Sequence, residues 1–113
     1  MFGLPQATID LLRDYFTRIP EIEKVVIYGS RAKGNYEKGS DIDFAFFSHS
    51  EEDITGKLLT ELDELSTPYL FNVTNYRELE HQELNALIVR TGIVFYETIG
   101  RKYVGPVSQT GSL

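Results

Sequence analysis

The sequence predicts a single α/β domain, a small mixed β-sheet backed by helices, and three observations carry that prediction. A β-branched run at Val25, Val26 and Ile27, closed by Tyr28 and Gly29, is too short for a helix and suits a buried strand. A second strand is marked by strict alternation from Asp41 to Phe47. Apolar residues at helical spacing recur twice, at Ile9, Leu12, Phe16 and Ile19 and again at Ile54, Leu58, Leu62 and Leu65. A chain of 113 residues can enclose one such core and not two, so the domain is expected over residues 1–100. The polar, Gly- and Ser-bearing stretch 101–113 is expected to be a flexible tail.

The first helix is expected from Pro5 to Ile19, with Pro5 in its first turn and Pro20 as its stop. After the strand that ends at Tyr28, glycines at 29, 34 and 39 prevent a long regular element, although a short helical turn from Ser30 fits and would present backbone N–H groups. In the strand Asp41–Phe47, Ile42, Phe44 and Phe46 point to one face and Asp41, Asp43, Ala45 and Phe47 to the other. Ser50 and Asp53 resemble a capping box ahead of the helix that runs to Leu65. Thr67 and Pro68 mark a loop, and residues 69–74 read as a third strand with Leu70, Asn72 and Thr74 on one side. A helix from about His81 to Thr91, stopped by Gly92, and a short strand from Ile93 to Tyr96 complete the pattern.

Composition narrows the function classes. The formal net charge of −6 argues against direct binding of polymeric nucleic acid, which needs a basic surface. No run of about 18 apolar residues could span a membrane, and Asp10, Arg13 and Asp14 interrupt the N-terminal segment where a signal peptide needs its apolar core. A cytoplasmic protein is therefore expected. The absence of cysteine excludes disulfide scaffolding and thiolate zinc sites, but not a site built from oxygen ligands.

Chemistry concentrates between Tyr28 and Phe47. Asp41 and Asp43 share one side of a strand, about 6–7 Å apart along it. Carboxylates so placed repel each other unless cations lie beside them, which points to a metal. Arg31 and Lys33, between Ser30 and the aspartates, read either as a solvated turn or as contacts to phosphate. A P-loop is excluded by spacing, and no Gly-x-Gly-x-x-Gly follows the strand. His49 reads as a strand-end polar residue and His81 as part of a helix start. Tyr28, Phe44, Phe46 and Phe47 read as core, with one ring available to stack on a base.

Gly29 and Ser30, ten intervening residues, then Asp41 and Asp43 match the signature of the nucleotidyltransferase fold associated with DNA polymerase beta. The chain most resembles the minimal nucleotidyltransferases, antitoxin partners of HEPN-domain toxins, roughly over residues 25–97. The resemblance implies that Gly29 admits the triphosphate close to the backbone, that Ser30 donates to a phosphate oxygen, and that Asp41 and Asp43 hold Mg²⁺ with ATP or another NTP. It further implies transfer of NMP, AMP when the substrate is ATP, to a tyrosine hydroxyl of a partner HEPN toxin. In such proteins a third strand carboxylate completes the catalytic set; aligning LFNVTNY with that strand places Asn72 there. An amide cannot act as a general base, and Glu78, Glu80 and Glu97 are the remaining candidates for a substitute. The alternative is a nucleotide-binding module, catalytically weakened by Asn72, that neutralises its partner by stoichiometric binding.

Overall fold

A computed structural model describes residues 1–98. The expectation of a flexible tail at 101–113 falls outside the described residues. Helix α1 spans Gln6–Thr17 behind Pro5, whose missing N–H and fixed φ suit a helix entrance. Strand β1 covers Ile22–Tyr28, three residues earlier than the β-branched run implies, with the buried Ile22 paired to Ser48 across a register shift before Lys24. A four-residue helix α2, Ser30–Lys33, follows Gly29 and ends at Gly34, which sits at φ 90°. Then come β2 (Ile42–Ser48), α3 (Thr55–Glu64), β3 (Phe71–Asn75), a 3₁₀ turn (Tyr76–Glu78), α4 (Gln82–Thr91) and β4 (Ile93–Glu97).

The four strands form one sheet in the order β3-β2-β1-β4. β1 pairs antiparallel with β2 and with β4, whereas β2 and β3 run parallel, so the sheet is mixed as expected. The parallel pair requires a crossover, and α3 supplies it. Alternation divides the side chains between two faces. On one, Val25, Ile27, Ile42, Phe44, Phe46 and Phe95 pack with Ile9, Leu12 and Phe16 of α1 and Leu58 and Leu62 of α3. This is the main core, and Phe44 lies within 5.0–6.2 Å, ring centroid to centroid, of Phe16, Phe71 and Phe95. Tyr15 of α1 donates from its hydroxyl to Glu61 of α3 at 2.7 Å, linking the two covering helices. On the other face Val26, Tyr28 and Ala45 meet Ile88 of α4, a smaller cluster against which Tyr76 and Leu79, in and after the 3₁₀ turn, also pack.

Two local expectations change. The Ser50–Asp53 capping box does not form: α3 begins two residues after Asp53, and Asp53 Oδ1 accepts instead from the backbone and hydroxyl of Thr55, while Ser50 Oγ accepts from the Glu52 amide. Gly92 does stop α4, but in an extended conformation and not a left-handed one. A Cβ there would lie 2.5 Å from the Ile88 carbonyl and 2.6 Å from Val26 Cγ1, so glycine is required by close packing of α4 on β1. His81 caps α4 through Nδ1, which accepts from the Leu84 amide, and His49 at the end of β2 bonds the Pro20 carbonyl, as their sequence positions imply.

Candidate active site

The register of the sheet assembles the site. Tyr28 of β1 lies opposite Asp43 of β2, which lies opposite Asn72 of β3, so three side chains from three adjacent strands form one row on the face that α4 packs against. Asp41 stands just before β2 on the same side and is exposed, while Asp43 is half-buried. Asn72 Nδ2 reaches both carboxylates, donating to Asp43 Oδ1 at 2.8 Å and to Asp41 Oδ2 at 3.2 Å. The strand register that places Asn72 beside the aspartates is thereby explicit, and its amide occupies the position where two facing anions need positive charge.

Burial pushes the Asp43 carboxyl above its ordinary value of 3.8; the hydrogen bond from Asn72 opposes this, and the neighbouring Asp41 charge adds to it. Tyr28 is also raised, chiefly by burial. Its hydroxyl lies 3.3 Å from Thr74 Oγ1, a cross-tie between β1 and β3 just below the carboxylates. Asp43, Asn72, Tyr28 and Thr74, with Leu84 and Leu87 of α4, line an open cleft of about 540 Å³.

Gly29 joins the loop to this row. It adopts φ 78°, ψ −149°, a region essentially confined to glycine, and a Cβ would sit 2.6 Å from Asp43 Oδ2. The backbone that leads into Ser30 is thus pressed against one carboxylate. Ser30 opens α2, and its carbonyl accepts from the Gly34 and Asn35 amides, which closes the turn. Lys33 is exposed at the end of α2.

Arg31 is where the structure departs from the sequence reading. Its side chain does not extend toward the cleft but is buried, 4% exposed, with Nε and Nη2 on the Ser40 carbonyl and Nη1 on the Phe2 carbonyl. The guanidinium also lies over the rings of Tyr36 and Tyr69 at 5.4 and 5.1 Å. Only arginine supplies donors enough for these carbonyls from a flat, stackable group, so Arg31 fastens the N-terminal segment and the 34–40 loop instead of offering a free cation to phosphate. Glu78 and Glu80 lie in and after the 3₁₀ turn, and Glu97 ends β4 at the far edge of the sheet, where its register partner is Lys24. None of the three is in the row with Asp43. Among the described residues no group of three or more His, Cys, Asp or Glu is placed to hold a metal.

The donor set still fits one hard divalent cation. Two carboxylates meet on one face with an amide oxygen available from Asn72, and Mg²⁺ is commonly held by one or two carboxylates together with water and substrate phosphates. The set lacks the third negative charge that a two-metal site would use.

Sequence reasoning missed the hydroxyls around the loop. Thr74 is 46 residues from its partner Tyr28, and Thr91 is 62 residues from Gly29, whose amide it accepts at 3.0 Å. Neither has a local signature, because the pairing exists only once the sheet and α4 are assembled.

A family model described as polymerase beta, nucleotidyltransferase, matches residues 10–99. Solved structures share the fold. One of a toxin–antitoxin with AMP-PNP is 25% identical, with a TM-score of 0.56 over 82% of this chain and 73% of that one. A mutant toxin–antitoxin MntA-HpeT is 24% identical, with a TM-score of 0.62 over 85% and 75%. A structure from Sulfolobus solfataricus is 20% identical, with a TM-score of 0.53 over 84% and 81%. No curated protein matches.

Proposed function

The chain belongs to the polymerase beta nucleotidyltransferase family, and from that premise we propose that it is an antitoxin that binds Mg²⁺ and ATP, or another NTP, and transfers NMP to a tyrosine hydroxyl of a HEPN-domain toxin. One observation carries the reading: Asp41, Asp43 and Asn72 converge on a single face, with the Gly29–Ser30 backbone pressed against Asp43. The likeness to a toxin–antitoxin structure with AMP-PNP, at 25% identity, supports a toxin as partner and an adenine nucleotide as ligand.

Each residue then has a task. Gly29 leaves room for the triphosphate beside the backbone, and the Ser30 hydroxyl donates to a phosphate oxygen. Asp41 and Asp43 hold the cation. When bound, Mg²⁺ supplies positive charge to the transferring phosphoryl group and the leaving pyrophosphate. Asn72 orients both carboxylates through its amide N–H groups but cannot take the proton of the attacking hydroxyl, so transfer is slow for this fold. The open cleft of about 540 Å³ has no second domain over it among the described residues, so a partner protein can supply the acceptor surface.

The amide of Asn72 is also the observation that favours a second reading, in which the chain binds nucleotide and neutralises its partner by stoichiometric contact alone. Incubation with a HEPN toxin, labelled ATP and Mg²⁺ separates the two. An AMP mass increment on a toxin tyrosine, lost in Asp41→Ala and Asp43→Ala, establishes transfer; a stable complex without modification establishes the binding reading.

A further inference from the structure

Thr91 is assigned no role by the reading above, yet it touches the loop that reading depends on. Its Oγ1 donates to the Leu87 carbonyl at 2.8 Å, which directs the hydroxyl proton into its own helix and leaves a lone pair for the Gly29 amide at 3.0 Å. On the other side of the same residue, the Gly29 carbonyl accepts from the Lys33 amide at 3.0 Å. Both polar groups of Gly29 are therefore held, one by α4 and one by α2. The contact is firm because the end of α4 is itself fixed: Gly92, the next residue, packs so closely on Val26 that no Cβ fits.

Gly29 in turn lies against Asp43, with its virtual Cβ 2.6 Å from Oδ2. A shift of the Gly29 peptide moves Ser30 and the carboxylate relative to each other. We infer that Thr91 is a positioning residue that sets the spacing between the phosphate-facing Ser30 and the cation-holding Asp43. The inference rests on the nucleotide-binding reading and specifies what keeps its loop in the binding geometry before ligand arrives. A loop released from Thr91 must be ordered at the expense of binding free energy, which lowers affinity.

The test uses the full chain, a non-hydrolysable ATP analogue and Mg²⁺ in titration calorimetry, well below the melting temperature of every variant. Thr91→Val keeps the shape and removes the acceptor, and about tenfold weaker Mg²⁺-dependent binding is expected. Thr91→Ser restores the hydroxyl and should bind within about twofold of the unaltered protein. A purely structural role would lower the melting temperature of Thr91→Val and leave the dissociation constant unchanged, which overturns the inference. Should Thr91→Val fail to fold, hydrogen exchange of the Gly29 amide in the unaltered protein decides: protection supports the tether, and exchange at the rate of an open loop overturns it. Absence of nucleotide binding by the unaltered protein overturns the parent reading together with this one, whereas equal binding by the unaltered protein and Thr91→Val overturns this one alone.

Discussion

Replacing Asn72 with aspartate should make the fold less stable without the cation and enlarge the stabilisation that the cation brings. In the protein as it stands, one amide nitrogen donates to both Asp41 and Asp43, at 3.2 and 2.8 Å. Asn72→Asp removes two hydrogen bonds to charged acceptors, each worth about 1.5–3 kcal/mol when well formed, and brings a third negative charge to the same distances. Coulomb repulsion at such separations spans about 1 kcal/mol per pair in water to about 4 at an effective dielectric of 20. Asn72 and Asp41 are exposed, so the carboxylates can rotate apart or share a proton, and the net loss in chelator should be about 2 kcal/mol. For a domain of this size that lowers Tm by roughly 8 °C. Millimolar Mg²⁺ should return that loss and more, because three carboxylates hold a hard cation better than two, and transfer to the toxin should rise at least about tenfold as a base becomes available. The assay is thermal unfolding of both proteins in chelator and in Mg²⁺, followed by single-turnover labelling. An Asn72→Asp variant as stable as the parent in chelator, with no larger response to Mg²⁺, would refute the bridging role of the amide.

Gly29→Ala should abolish Mg²⁺-nucleotide binding and destabilise the fold by about 1–3 kcal/mol, since the new Cβ meets Asp43 Oδ2 at 2.6 Å in a backbone region closed to alanine; normal calorimetric binding would contradict this. Arg31→Ala should cost about 2–4 kcal/mol in urea unfolding, by leaving the Ser40 and Phe2 carbonyls without donors, while nucleotide affinity falls less than threefold. A large loss of affinity with unchanged stability would return Arg31 to the phosphate. Cation binding requires ionised Asp43, whose pKa burial raises, so Mg²⁺ affinity should begin to fall above the ordinary carboxylate range as pH drops. The linkage has the matching sign: with the folded pKa above the unfolded one, protonated Asp43 stabilises the metal-free fold below the unfolded pKa, and that contribution disappears as pH rises through the folded pKa. Magnesium titrations between pH 4 and 7 should show this fall, and a flat profile would count against it. Asp53, held low by its bonds from Thr55 and Asn75, should act oppositely, its small contribution being present at neutral pH and lost as pH falls through its depressed pKa. Asp53→Ala should remove that part of the acid-induced loss in urea midpoints.

The elements were legible in the chain because each rests on local periodicity. Ile42, Phe44 and Phe46 face the core for the reason that a strand alternates, and Ile9, Leu12 and Phe16 do so because a helix repeats every 3.6 residues. Asn72 could be placed only by resemblance, and the parallel pairing of β2 with β3 turned that placement into two specific hydrogen bonds. Arg31 shows the limit. Its position between Ser30 and Asp41 made it a plausible phosphate ligand, but Phe2 and Tyr69, remote in sequence, capture the guanidinium.

By itself, then, the sequence determined that this protein is a mixed α/β domain with Ser30, Asp41 and Asp43 as a constellation and an amide where a carboxylate is expected. Spacing and residue type suffice for that, since the groups lie within one loop and one strand or follow a recognisable pattern. Only the tertiary structure decided what those groups touch: that Asn72 bridges the aspartates, that Arg31 is a fastener, and that Thr91 holds Gly29. Hydrogen bonds between distant elements depend on strand register and helix docking, which are set by burial of the whole core and leave no local mark on the residues they join.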